Sequence, residues 1–548
     1  MRSIVRNVLP TLAIGLAGIA AVLFDFRFQL RNGGQLLNGD RYDGFIAIAI
    51  LEHWHNVVRG LSSWATTRFF FPTPNTLGYN DGYLLHGLVY SALRAAGSDP
   101  FLAGELVNAV LRVAGFAAFY AMGRRVLRWP RGWSLFGALL FTLSNNLFLH
   151  AHHTQLFAVC FVPVMVLLLH EALAAFRHVQ RTRFTLWALA AAAFFAAWLM
   201  TAFYMAWYFA FFTLVTATIA ACMAGRAGLR DVVRRARALA LPLAVVAAGA
   251  ALLLAPFVWL YLPKARETGM HAYAVALAFA PNLLDVINVG EGNVVWGWLV
   301  RAVDAALGAG GFSAAERATG FPLGMVIAFI AACAWLVHGY RKGVVPMPVI
   351  ALAAATVVVW ALALRIGDVS GWWLVYHLVP GAKAARAVTR IQIFLAVPIV
   401  VVVVSMLSRL RVRHPAALAA VCLVLLAENA NVLPPLGIAR PAEVARLAAI
   451  GAPPVGCSFF FASSARPGAL YGPDVDGRYS HNADAMLVAE LTGLPTINGV
   501  ASFAPPWWNL SFPAAPDYRA RVAEHVARFG LAAPCELDLA RARWVRQP

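Results

Sequence analysis

A chain of 548 residues that is 61% hydrophobic and only 13% charged is too apolar for a string of soluble domains, which run nearer half apolar and a quarter charged. The formal net charge of +19 does not mark a nucleic-acid binder: most arginines sit in short loops between apolar runs, and no basic patch is interleaved with aromatics. Repeated apolar runs of about 18 residues or more indicate membrane spans instead.

In chain order, spans are expected near 8–25, 101–124, 132–150, 154–173, 184–202, 203–223, 238–261, 321–338, 347–365, 390–408 and 414–432. The first is expected to be an uncleaved helix, since its run is long for a signal peptide and no small-x-small site precedes Asp25. The apolar stretch 184–223 is divided at Thr201–Tyr204, because one helix of that length would be about twice the bilayer. With the N-terminus inside, Arg2, Arg6, Arg124, Arg125, Arg128, Arg131, Arg177, Arg181, Arg183, Arg226, Arg230, Arg234, Arg235, Arg237, Arg341, Lys342, Arg409, Arg411 and Arg413 all fall on the cytoplasmic side. Removing one span would break that agreement. The expected fold class is an all-α polytopic membrane protein of about eleven transmembrane helices, with the N-terminus cytoplasmic and the C-terminus outside.

The outside then holds 26–100, 263–320, 367–389 and a tail, 433–548. The tail lacks a spanning run and is rich in Pro, Gly and turn dipeptides, so it reads as a small α+β domain beside a transmembrane domain, 1–432. Cys160, Cys222, Cys333 and Cys422 lie in spans, where a thiol is ordinary packing. Cys457 and Cys535 both fall in the outer tail, an oxidising compartment, and are expected to form a disulfide.

Polar chemistry collects in the first outer loop, NGDRYDGFIAIAILEHWHNVVRG. A helix starting there is expected to be amphipathic and to lie at the membrane interface, because His53, His55 and Arg59 interrupt the run too early for a span. Asp40 and Asp43, three apart, lie near one edge of its start. Such a pair suits a general base for an acceptor hydroxyl, or oxygen ligands for Mg²⁺ or Mn²⁺ on a phosphate. It equally suits plain complementation of a helix N-terminus. His150, His152 and His153, followed by Gln155, offer metal or phosphate contacts but match no zinc spacing.

Lys264, Arg266, Lys383, Arg386 and Arg390 are basic residues on the outside, against the topological bias, and suit phosphate binding; headgroup snorkelling is the alternative. Glu105, Asn108 and Arg112 share one face of the second span, which suits a structural Glu105–Arg112 pair and a functional one equally. The tryptophans of GLPTINGVASFAPPWWNLSFP (Gly493–Pro513) suit a sugar-stacking platform or a membrane-surface contact. No Gly-rich phosphate loop, G-x-S-x-G or Cys-x-x-Cys is present, so no nucleotide cofactor is expected.

This layout resembles the GT-C superfamily of membrane glycosyltransferases. The motifs that carry the likeness are GDRYD (Gly39–Asp43), LEHW (Leu51–Trp54), FFFPTPNTLGYND (Phe69–Asp81), HHTQ (His152–Gln155), PGAKAARAVTR (Pro380–Arg390) and GLPTINGVASFAPPWW (Gly493–Trp508). The resemblance implies a bacterial inner-membrane enzyme that moves a sugar from a polyprenyl-phosphate carrier to a glycan, lipid or protein acceptor on the periplasmic face. It implies Asp43, with Asp40 beside it, as base or metal ligand. It also implies outside-facing basic residues as the phosphate clamp, a role that Lys383, Arg386 and Arg390 suit. One departure stands out: several superfamily members carry adjacent Asp-Glu in this loop, whereas Gly44 follows Asp43 here. Two other readings stay open, a flippase for a lipid-linked glycan and a non-catalytic envelope-assembly scaffold. Related halves with broken spans would mark the former.

Overall fold

The computed structural model describes residues 2–308, 315–341, 346–410 and 414–546. Lys342, Arg411 and Arg413, expected on the basic side, lie outside the described residues, as do the side chains of Arg2, Arg6 and Arg341. Among the described residues, 8 helices are long and apolar enough to cross a membrane: Pro100–Arg125, Arg131–Leu149, Thr154–Arg177, Arg181–Leu199, Phe203–Ala238, Ala240–Thr268, Leu323–Tyr340 and Val388–Leu407. Three shorter apolar helices, Thr11–Asp25, Met347–Ala363 and Pro415–Ala427, lie where the remaining runs were read. The chain is a multi-pass membrane protein.

Local chemistry sets several helix ends. Asp99 caps Pro100–Arg125 by accepting from the amides of Phe101 and Leu102 (3.1 and 3.2 Å), with proline in the first turn. The long apolar stretch breaks between Leu199 and Phe203, and the new helix is started from afar: Asp81 accepts the Phe203 amide at 2.7 Å. That approach is tight, since a Cβ on Gly82 would sit 2.3 Å from the Met200 carbonyl oxygen. Phe203–Ala238 runs well past the expected end near 223 and turns at Gly225, whose φ of 62° lies in the left-handed region.

The helix Asp43–Val58, in the loop after the first apolar helix, corrects an expectation. It does not lie at an interface with one wet face; Gly44–Trp54 is buried without a break. Phe45–Leu51 is apolar at every position, so that stretch has no polar face to present to headgroups, and it is buried within the protein. Leu84–Ala95, Pro100–Arg125 and, from the tail, Pro473–Thr492 supply that cover. Two of its buried polar residues, Glu52 and His53, face partners within the protein. Glu52 accepts from the Tyr90 hydroxyl at 2.6 Å and Arg94 Nε at 2.9 Å, and His53 faces Glu490 at 3.6 Å.

The tail combines helices with a three-stranded sheet. Phe459–Ala462 pairs in parallel with Pro534–Asp538, which pairs antiparallel with Arg543–Arg546. Cys457 and Cys535 are joined by a disulfide across this sheet. The tail is also stitched to the first loop: Leu36–Asn38 pairs antiparallel with Leu436–Ala439. Met486, Leu487 and Val500 belong to the same apolar core as the spans. The Glu105–Arg112 pair does not form. Arg112 Nε instead lies 2.8 Å from Asp25, while Glu105 accepts from Gln29 and Asn38, because the first helix brings its own carboxylate beside the arginine.

Candidate functional site

The residues of interest meet at one end of the bundle. Asp43 opens the Asp43–Val58 helix. His153 sits in the turn before Thr154–Cys160, Arg390 ends the short turn Val388–Arg390, and Glu316 lies in the loop ahead of Leu323–Arg341. Arg390 grips Glu316 with Nη2 at 2.8 Å and Nε at 3.3 Å. The same Nη2 lies 3.2 Å from His153 Nε2. A guanidinium only donates, so Nε2 accepts and the imidazole proton resides on Nδ1. That nitrogen faces Asp43 Oδ2 at 3.6 Å. Burial, then the charges of His152 and Arg390, hold His153 well below the usual histidine range, so it is neutral at pH 7. Burial opposes ionisation of Glu316, but the Arg390 guanidinium outweighs it and holds the carboxyl well below the usual carboxylate range.

Asp43 keeps an open face, 45% exposed. The enclosing protein and then the like charge of Asp40 push its pKa up to about 6, with Arg390 and Arg386 pulling the other way. Asp40 is differently used. One oxygen accepts the amides of Tyr42 and Gly44 (2.8 and 3.3 Å), and the other accepts the Tyr471 hydroxyl at 2.7 Å. Tyr471 comes from the tail, as does Asp476, which accepts the Tyr42 hydroxyl. The tail thus closes one wall of the site.

Donor supply bears on metal binding. Among the described residues no group of three or more His, Cys, Asp or Glu side chains is arranged to hold an ion. With both Asp40 oxygens engaged, Asp43 is the single open carboxylate of the pair, and a hard cation takes six or more oxygen ligands.

An apolar cavity of about 320 Å³ adjoins the site, with Asp81, Phe203, Tyr204, Phe257 and Tyr261 in its walls. Tyr204 connects the two regions. Its hydroxyl accepts the Arg386 amide at 2.7 Å, and its ring lies 5.6 Å beneath the Arg390 guanidinium. Burial pushes Asp81, on the cavity wall, up to about 6.

The other basic residues separate. Arg386 lies over Phe279 at 5.1 Å, close enough to act on Asp43. Lys383 is exposed over Tyr376 at 5.4 Å. Lys264 is buried and spent on Tyr79 and Glu267, both at 2.9 Å, so it is not an open phosphate ligand; the acid one turn along its own helix claims it. Arg266 is exposed on that helix and joins none of the contacts around Asp43. His152 lies against His153 with ring centroids 4.0 Å apart, while His150 Nδ1 is 3.0 Å from the Asn146 carbonyl. Trp507 bonds Thr73 and Trp508 packs edge-on to Phe70, so the tryptophans clasp the first loop rather than form an open platform.

Glu316, Asp81 and Tyr471 have no sequence signal that singles them out. Asp81 closes the motif FFFPTPNTLGYND, but nothing in its spacing points to the Phe203 helix start.

The overall fold is GT-C-like. Among solved structures, the archaeal oligosaccharyltransferase AglB from Archaeoglobus fulgidus, in complex with an inhibitory peptide and a dolichol-phosphate, is similar with a TM-score of 0.51 and 11% identity; the match covers 97% of this chain and 70% of that one. The arabinofuranosyltransferase AftD from Mycobacteria gives a TM-score of 0.45 at 16% identity, covering 90% of this chain, which spans 32% of that longer one. No family model matches the chain. No curated protein matches it in sequence.

Proposed function

We propose that this chain is a glycosyltransferase that moves a sugar from a polyprenyl-phosphate carrier to an acceptor hydroxyl or amide at the outer face of a bacterial inner membrane. The observation that carries the reading is the position of Tyr204. It lines the apolar cavity and touches both Arg386 and Arg390, which in turn act on Asp43. A carrier lipid in the cavity would present its phosphate to the arginines and its sugar to Asp43. The dolichol-phosphate in the AglB complex is in keeping with such a carrier.

In this reading the ionised Asp43 takes the proton from the acceptor. The acceptor atom attacks the anomeric carbon, and the bond from that carbon to the phosphate oxygen breaks with inversion. The electron pair leaves on the phosphate, where fixed guanidinium groups in a low-dielectric site stabilise the developing charge. Glu316 holds Arg390 in place, and His153 turns its Nδ1–H toward Asp43. No step is routed through a metal ion.

The test is turnover of a synthetic polyprenyl-phosphate sugar by purified protein, beside an Asp43→Asn variant. Transfer by the wild type that the variant lacks supports the reading. Lipid flux in proteoliposomes without any sugar transfer would replace it with a flippase.

A further inference from the structure

The end of the bundle opposite Asp43 holds a larger cavity, about 600 Å³, within the range of built ligand sites. Its walls are apolar, with Val162, Val166, Phe209, Phe212, Val397 and Val401 among them, and its mouth carries His170 and Arg177. Met223 and Ala224 form part of the rim. The chain then turns at Gly225 and enters a different kind of helix. Arg226, Leu229, Arg230, Val233, Arg234 and Arg237 line a second cavity of about 580 Å³ there. Arginine and branched apolar residues thus alternate at helical spacing, and Leu229, Val232 and Val233 are exposed.

This stretch is tied to the groove, since Arg235 donates Nη1 to the Arg177 carbonyl. The carboxylate of Asp231 is taken by Arg234 and Arg235. No ion pair among the described residues involves Arg177, Arg226, Arg230 or Arg237. Arg177 thus lines the apolar groove itself, and Arg226, Arg230 and Arg237 line the cavity that follows it along the chain, beside side chains able to enter the acyl boundary.

We propose that this groove binds an anionic phospholipid of the adjacent leaflet, its chains between the spans and its phosphate on Arg177, Arg226 and Arg230. The occupant follows from complementarity: four uncompensated cations at a membrane–water boundary call for a headgroup of net negative charge. The exposed Leu229, Val232 and Val233 place the helix in the interface rather than in water. The lipid site lies apart from Asp43 and serves to fix the Arg226–Ala238 stretch against the membrane.

The experiment uses the full-length purified protein in mild detergent, with phosphatidylglycerol or phosphatidylcholine added and retention read by native mass spectrometry. Phosphatidylglycerol is expected to be retained at least about tenfold over phosphatidylcholine, with the preference shrinking as salt rises. Replacing Arg177→Gln, Arg226→Gln and Arg230→Gln together should erase the preference. Thr216→Trp, which fills the groove and leaves the arginines in place, should lower retention of both lipids. Equal retention by the wild type, or a preference that survives the triple replacement, overturns the proposal. So does unchanged retention in Thr216→Trp.

Discussion

Asp43 and Asp40 are three residues apart and chemically identical, yet their surroundings give them different work. Asp40 spends its oxygens on two amides and a tyrosine hydroxyl, whereas Asp43 keeps an open carboxylate with its pKa pushed up to about 6. If Asp43 is the base, Asp43→Asn should lower turnover by about 10²–10⁴-fold, the usual contribution of general base catalysis, with the melting temperature unchanged. The pH profile follows with its sign. A base works ionised, and the raised pKa means ionisation is complete only above about pH 7. Turnover should therefore fall as pH drops through about 6. Asp40→Asn removes the like charge that helps raise this pKa, so the acidic limb should move to lower pH. A limb that stays in place in that variant would argue against coupling between the two carboxylates.

At the scale of elements, the Asp43–Val58 helix does two jobs. It presents Asp43 at its first turn and anchors it through a buried body. The fit is close: a Cβ on Gly87 would lie 2.5 Å from the Trp54 side chain, so Leu84–Ala95 approaches at backbone distance. Truncating Ile50, which is fully buried, should cost about 2–5 kcal/mol. Leu61→Ala, at a site 52% exposed, should change stability by no more than about 0.5 kcal/mol. Thermal unfolding of the two variants side by side reads the difference. Equal midpoints would mean that the helix is not held by its core.

For the whole molecule, the tail behaves as part of the first loop. It supplies a strand to Leu36–Asn38, a helix over Asp43–Val58, the Tyr471 hydroxyl to Asp40, and Glu490 to Asn56 and Arg68. A chain ending at residue 432 would expose that apolar helix and leave Arg68 without its buried carboxylate. Such a truncation is expected to aggregate on size-exclusion chromatography, under conditions in which the full chain is expected to run as a single species. A monodisperse truncated protein would show that the transmembrane part folds without the tail.

The sequence by itself determined the membrane class, the order of the apolar helices and the break between Leu199 and Phe203, because burial in lipid needs long apolar runs and those are local. It also pointed to Asp43, His153, Arg386 and Arg390, since charged residues beside apolar runs stand out in a chain this poor in charge. Only the tertiary structure decided how they are used. It gave Arg390 to Glu316, turned Lys264 inward to Glu267, placed Arg112 on Asp25, and wrapped the first-loop helix in protein on every side. Each of those outcomes, except Lys264 with Glu267, joins residues distant in the chain. An ion pair is selected by distance and desolvation in three dimensions, and neither quantity is written in the spacing of one segment.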